Sequence, residues 1–185
     1  MSEITAASIP GYATGTWQID PAHSSVTFSI RHLVSKFRGQ FTDFSATLTT
    51  ADNPTDSSVK ATIQTASIST GNPDRDGHLK TPDFFDVENN PTIEFVSTGV
   101  RVDGDDWAID GELTLLGVTK PVTLEADFGG ITTDGYGRTV AGFEAETKIK
   151  REDFGLTWNT ALETGGVLLG PEVKINIEAE FTLDK

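Results

Sequence analysis

Three histidines, His23, His32 and His78, are the side chains best suited to proton transfer or metal binding in this sequence. A metal site needs them to converge with carboxylates, and their spacings match no ligand motif. His23 and His32 are nine positions apart, so on a straight strand they face opposite sides. They read as structural or surface histidines, and no metal is expected. Asp20, His23 and Ser24 have the composition of a catalytic triad. Three such residues within five positions are hard to aim at one another, and no nucleophile elbow accompanies them. A capped turn leading into a strand is expected instead. The paired acids Asp105-Asp106 and Glu144/Glu146 sit at turn or outward positions; among 28 acidic residues such pairs arise by chance and do not indicate a glycosidase. No Gly-rich phosphate loop stands between a strand and a helix. The absence of cysteine excludes a disulfide framework, a thiolate metal site and a cysteine nucleophile. No catalytic residue and no cofactor are expected.

The composition narrows the partners. The chain has 185 residues, 14 basic against 28 acidic, for a net charge of −14. Nucleic-acid binding needs a basic patch and is not expected. The same charge argues against adsorption to an anionic membrane surface. The length suits one domain. Residues 1–14 read as a flexible N-terminal arm and 15–185 as the domain. The first residues lack a signal-peptide pattern, and no run approaches the ~18 apolar residues of a membrane span. A soluble, cytoplasmic protein without stable membrane insertion is expected.

The elements that position these groups are strands. Apolar residues take alternate places at Val26, Phe28 and Ile30, at Trp107, Ile109, Leu113 and Leu115, at Val122, Leu124 and Ala126, and from Val173 to Leu183. A period of two means half-buried strands. Turn residues punctuate the runs at Asn53-Pro54, Asn90-Pro91, Asp103-Gly104 and Asp134-Gly135. The expected strands are 16–20, 23–33, 36–50, 57–69, 91–103, 106–116, 120–130, 137–150 and 171–184. Long sequential antiparallel strands with one apolar face favour closure, because an open sheet leaves reactive edges. The expected fold is all-β: an extended antiparallel up-and-down barrel of about eight strands, with a two-sheet sandwich as the alternative.

Two stretches break the rhythm. Residues 72–89 read as a loop with one or two helical turns, Asn72 or Asp74 capping the first and Thr81 the second. Phe84 and Phe85 are adjacent, so at least one packs elsewhere than in a strand. Residues 151–170 are the other irregular stretch.

Eleven Phe, three Trp and two Tyr are spread over the strands and these two stretches. An eight-stranded barrel either fills with side chains or holds one small ligand, and apolar pockets lined by aromatics are the usual ligand sites. Phe28, Ile30, Phe41, Phe95, Leu113, Phe143 and Phe181 are the expected lining, with Phe84, Phe85 and Trp158 near its ends. The faces of Phe37, Phe41 and Phe44 conflict, since 37 to 41 is even and 41 to 44 is odd. The interval between Asp20 and Asp43 holds no acid but contains Arg31, His32, Lys36 and Arg38 around a turn at Leu33-Val34-Ser35. Charge pairing with neighbouring strands would account for it. Alternatively Arg31, Lys36 and Arg38 attract the head group of a ligand at a cavity mouth, with His32 in contact.

The motifs Gly15-Thr16-Trp17-Gln18-Ile19-Asp20, Ala22-His23-Ser24-Ser25-Val26-Thr27-Phe28, Arg75-Asp76-Gly77-His78-Leu79-Lys80, Asp83-Phe84-Phe85-Asp86, Gly111-Glu112-Leu113-Thr114-Leu115-Leu116-Gly117-Val118-Thr119-Lys120-Pro121 and Arg151-Glu152-Asp153-Phe154-Gly155 occur in this order. Together they make the chain resemble the YceI-like family over residues 15–183. The resemblance implies a lipocalin-like barrel that binds a polyisoprenoid, isoprenoid quinone or other long amphiphilic lipid. It also admits a homodimer, and many members are periplasmic. Strands of 11 to 14 residues span roughly 36–46 Å at ~3.3 Å per residue, a height that suits a long ligand. The leading reading is therefore a non-catalytic lipid binder, storing or transporting its ligand. Its rivals are an enzyme or chaperone of isoprenoid or quinone metabolism, using His32 or His78 with Asp76, and a solid barrel acting in a stress response.

Overall fold

The computed structural model describes residues 4–104, 106–159 and 169–184. Asp105 of the acidic pair, positions 160–168 of the second irregular stretch, residues 1–3 of the arm and Lys185 lie outside the described residues.

Alternation along long runs gives every strand one apolar face, and the sheet closes on that face. The strand segments are β1 (Gly15–Ile19), β2 (Ser25–His32), β3 (Ser35–Phe41), β4 (Phe44–Thr50), β5 (Ser58–Gln64), β6 (Ile68–Ser69), β7 (Thr92–Asp103), β8 (Asp106–Leu115), β9 (Val118–Thr133), β10 (Thr139–Lys150) and β11 (Leu169–Leu183). All pairings are antiparallel. β11 pairs with β10 on one side, and on the other with β2 and then β1, which closes the ring. β1 with β2, β3 with β4 and β5 with β6 each form one interrupted strand, so the barrel is eight-stranded as expected.

The interruptions correct the expected strands 36–50 and 57–69, each of which is cut. All three breaks fall at one height, since Trp17 faces Leu48 below them and Val26 faces Phe41 above. Asp20 makes the first by accepting from the Ala22 N–H at 3.0 Å. Thr42 and Asp43 make the second. At the third, the Thr65 hydroxyl, 1% exposed, donates to the Asn90 carbonyl at 2.7 Å. The break at 42–43 also resolves the parity conflict, because it lets Phe37, Phe41 and Phe44 all face the interior.

The up-and-down order sorts the connections. The β2–β3 turn, residues 70–91, the β8–β9 turn and residues 151–159 gather at one end. Residues 4–14, the 51–57 loop and the β9–β10 turn gather at the other. Residues 4–14, expected as a flexible arm, place Ile9 in a buried position and let the Tyr12 hydroxyl donate to the Ala51 carbonyl. Trp17 is 0% exposed and packs with Ala141, Ala179 and Phe181. At the upper end, helix α1 (Pro73–Leu79) begins at Asn72, whose side chain accepts from the N–H groups of Asp74 and Arg75 at 3.1 and 3.2 Å. The expected second helical turn is instead a tight turn, in which the Thr81 carbonyl accepts from both Phe84 and Asp86 at 2.9 Å.

Candidate functional site

The inward faces enclose a cavity of about 250 Å³. Apolar cavities of about 150 Å³ stay dry and hold a benzene-sized molecule. The lining is apolar except for Thr27, Ser45, Thr147 and Arg151. Of the sequence-derived candidates, Phe28, Ile30, Phe41, Phe84, Phe85, Phe95, Leu113, Phe143 and Phe181 all line it. The period-two runs place Val26, Ile109, Leu124, Val173, Ile175 and Ile177 beside them. Phe28 and Phe41 have ring centroids 5.6 Å apart, and Phe85 stands edge-on to Phe41 at 5.8 Å. Phe84 and Phe85 both reach the cavity from the loop after α1. A smaller space of about 70 Å³ lies at the opposite end, bounded by Ile9, Tyr12 and Trp17. Leu48, Val59, Ile109, Ala126 and Phe143 border both spaces.

Two glycines shape the wall. Gly39 faces Phe28 across the β2–β3 pair, and Phe28 Cζ lies 2.4 Å from where a Cβ of residue 39 would stand. Gly111, which pairs with Ser97, lies diagonally across from Phe95, whose Cζ is likewise 2.4 Å from where its Cβ would stand.

Other candidates fall outside the lining. Trp158 packs its ring on His78 at 5.0 Å and on Phe84 at 5.2 Å, behind the cavity wall. His32 meets the edge of Phe37 at 6.1 Å, at the rim. Arg31, Lys36 and Arg38 are exposed on the outer surface. The alternation that turns Phe28 and Ile30 inward turns Arg31 outward, and its partner Lys36 with it. The pairing of His78 with Asp76 is not formed. His78 Nε2 lies 2.8 Å from Asp83, and Asp76 accepts from the Thr70 N–H at 2.8 Å.

Arg151 is the residue that sequence reasoning missed. It borders the cavity and is 3% exposed. Its Nε donates to the Gly170 carbonyl at 2.9 Å, and Nη1 to the Leu156 and Trp158 carbonyls at 2.7 and 2.9 Å. It thereby ties residues 156–158 to β11. Burial holds its guanidinium below the ordinary arginine value. The only signal in the sequence was its membership of the Arg-Glu-Asp-Phe motif.

The triad-like residues form the expected capped turn. His23 Nδ1 lies 2.8 Å from Asp20 Oδ2. That hydrogen bond raises the His23 pKa and lowers that of Asp20. Glu180 approaches both, and the three bring ligand-type atoms within 4.8 Å of one another.

A YceI-like domain matches residues 17–181 of the chain. A UPF0312 protein of Staphylococcus epidermidis is 39% identical over 171 residues, which cover 91% of this chain and 98% of the relative. Among solved structures, a Campylobacter jejuni YCEI protein superposes with a TM-score of 0.71 at 33% identity, covering 84% of this chain and 91% of that one. A polyisoprenoid binding domain from Saccharophagus degradans shares the fold, with a TM-score of 0.69 at 15% identity and coverage of 93% and 100%. With the family domain spanning nearly the whole barrel, the chain belongs to the YceI-like family.

Proposed function

We propose that the barrel binds one long-chain amphiphilic lipid, a polyisoprenoid or isoprenoid quinone, and stores or transports it unchanged. The observation that carries this reading is the cavity itself: an apolar interior whose described lining offers one charged side chain, Arg151, and no histidine or carboxylate. General acid–base and nucleophilic chemistry need such groups within reach of the substrate. An occupant of this apolar space gains free energy by burying apolar surface, at ~25 cal/mol per Å². The Saccharophagus degradans relative of the same fold, described as polyisoprenoid binding, supports the ligand class.

In this reading Phe28, Ile30, Phe41, Phe84, Phe85, Phe95, Leu113, Phe143 and Phe181 contact the chain of the lipid. The test is a titration with polyprenols of increasing length, read by tryptophan fluorescence. Affinity is expected to rise with each added isoprene unit until the interior is full and then level off. Affinity independent of length would contradict the reading.

A further inference from the structure

The β2–β3 turn is built against ordinary turn chemistry. Leu33 and Val34 form the two-residue tip between β2 and β3, and they are 44% and 93% exposed. Leu33 has φ +56, a conformation that favours Gly or Asn. Neither turn geometry nor solvent explains an apolar pair here. Around the tip stand Arg31, Lys36 and Arg38, all exposed. Among the described residues, none of the three forms an ion pair. The charge pairing that would have accounted for this basic interval is therefore not found there. Ile30 and Phe37, the cross-strand pair three residues from the tip, line the cavity. Acids stand at this end too, Glu172 on β11 pairing with Lys148, Asp83 with His78, and Asp76 accepting from Thr70, while Asp110, Glu112, Glu125 and Asp127 lie on β8 and β9 across the ring. Charges farther away than ~8 Å are largely screened at physiological salt, so the net −14 of the chain does not by itself decide the charge met at the tip, where three cations without an ion pair flank the apolar pair.

We propose that the β2–β3 hairpin docks the barrel onto an anionic lipid bilayer. Leu33 and Val34 enter the interfacial region, and Arg31, Lys36 and Arg38 meet the lipid phosphates. This orientation brings the α1 end of the cavity to the surface that supplies or receives its ligand. The occupant is a bilayer because apolar tip residues flanked by unpaired cations match its layered chemistry, phosphate above hydrocarbon. The local arrangement thus reverses the inference from net charge, that an anionic surface would be avoided. The proposal rests on the reading of the cavity as a lipid site, since docking without cargo would serve no exchange.

Flotation of the full chain with vesicles tests it, using phosphatidylcholine alone or with 30 mol% phosphatidylglycerol. Binding is expected only with the anionic lipid, and to be lost at high salt. Neutralising Arg31, Lys36 and Arg38 to Gln should weaken it roughly fivefold per cation, about a hundredfold together. Val34→Asp should weaken it by about tenfold or more. Both variants replace exposed groups outside the cavity, so their melting temperature and their polyprenol affinity should match the wild type. Absent binding, equal binding to neutral vesicles, or unchanged binding by both variants would overturn the docking proposal while leaving the cavity reading intact. Failure of the polyprenol titration alongside intact vesicle binding would instead sink the cavity reading.

Discussion

The Phe95 ring occupies the space where a side chain of Gly111 would begin. A Cβ there would stand 2.4 Å from Phe95 Cζ and 2.7 Å from the Val96 carbonyl oxygen. Phe95 lines the cavity, so a displaced ring can yield into it. Gly111→Ala is expected to destabilise the barrel by about 1–3 kcal/mol, as overpacked cores do, and to lower polyprenol affinity as the displaced ring takes ligand space. Urea unfolding and the fluorescence titration read the two effects. Unchanged values in both would show that the wall absorbs a methyl group without moving the ring.

Arg151 predicts a second outcome. Its guanidinium satisfies three carbonyls from positions 156, 158 and 170. Arg151→Met keeps much of the apolar stem but leaves those carbonyls without this donor. A loss of about 3 kcal/mol is expected from urea unfolding, because hydrogen bonds to charged groups contribute about 1.5–3 kcal/mol and orphaned buried acceptors add a penalty. Arg151→Lys should recover only part, since an ammonium lacks the planar fork that spans separate acceptors. Full recovery by lysine would show that charge, not geometry, holds the segment.

The Asp20–His23 pair carries a pH dependence with two limbs. Asp20 raises the His23 pKa, so the stabilisation from His23 is complete below its unfolded value of about 6.5 and fades as pH rises through the higher folded value. His23 lowers the Asp20 pKa, so the contribution of Asp20 is present above about 3.9 and is lost as pH falls through the lower folded value. The two act together between those limits. An NMR titration of the His23 ring should show the raised pKa, and Asp20→Asn should return it toward the ordinary value while keeping an acceptor for the Ala22 N–H. An identical titration curve in the variant would contradict the pair.

On the outer face, Asp110 joins β8 to β7 and β9. It takes two hydrogen bonds from Arg101 at 2.7 and 2.8 Å and one from Thr123 at 2.7 Å. These lower its pKa to about 2. Arg101→Gln should raise that value toward the ordinary aspartate range, measured by carboxyl-carbon NMR. Because the pair is exposed and screened by solvent, its removal should leave the urea midpoint almost unchanged.

Much of this was legible in the chain because period-two patterning and a closed sheet are the same fact seen twice. Phe28, Phe95, Phe143 and Phe181 each follow from alternation alone. The breaks at 42–43 and 65–67 did not follow, since Thr42, Asp43 and Thr65 are ordinary strand-end residues. Their effect depends on partners such as the Asn90 carbonyl, 25 positions from Thr65. Arg151 was invisible for a related reason. Beside Glu152 and Asp153 it reads as surface charge, and its burial is created by β11 and the 156–158 backbone. The outward direction of Arg31 was legible, yet composition drew attention to the cluster before alternation was applied to it. His78 and Asp76 illustrate the opposite error: nearness in sequence suggested a pair, while Thr70 and Asp83 were the partners.

The central claim is that the interior holds a long lipid. Its most direct test is denaturation of the purified protein, extraction with organic solvent and mass spectrometry of whatever is released. The expected result is one long-chain isoprenoid per barrel, chemically unchanged after incubation and depleted in Gly111→Ala. Protein that releases no lipid and takes up no polyprenol when supplied would contradict the account.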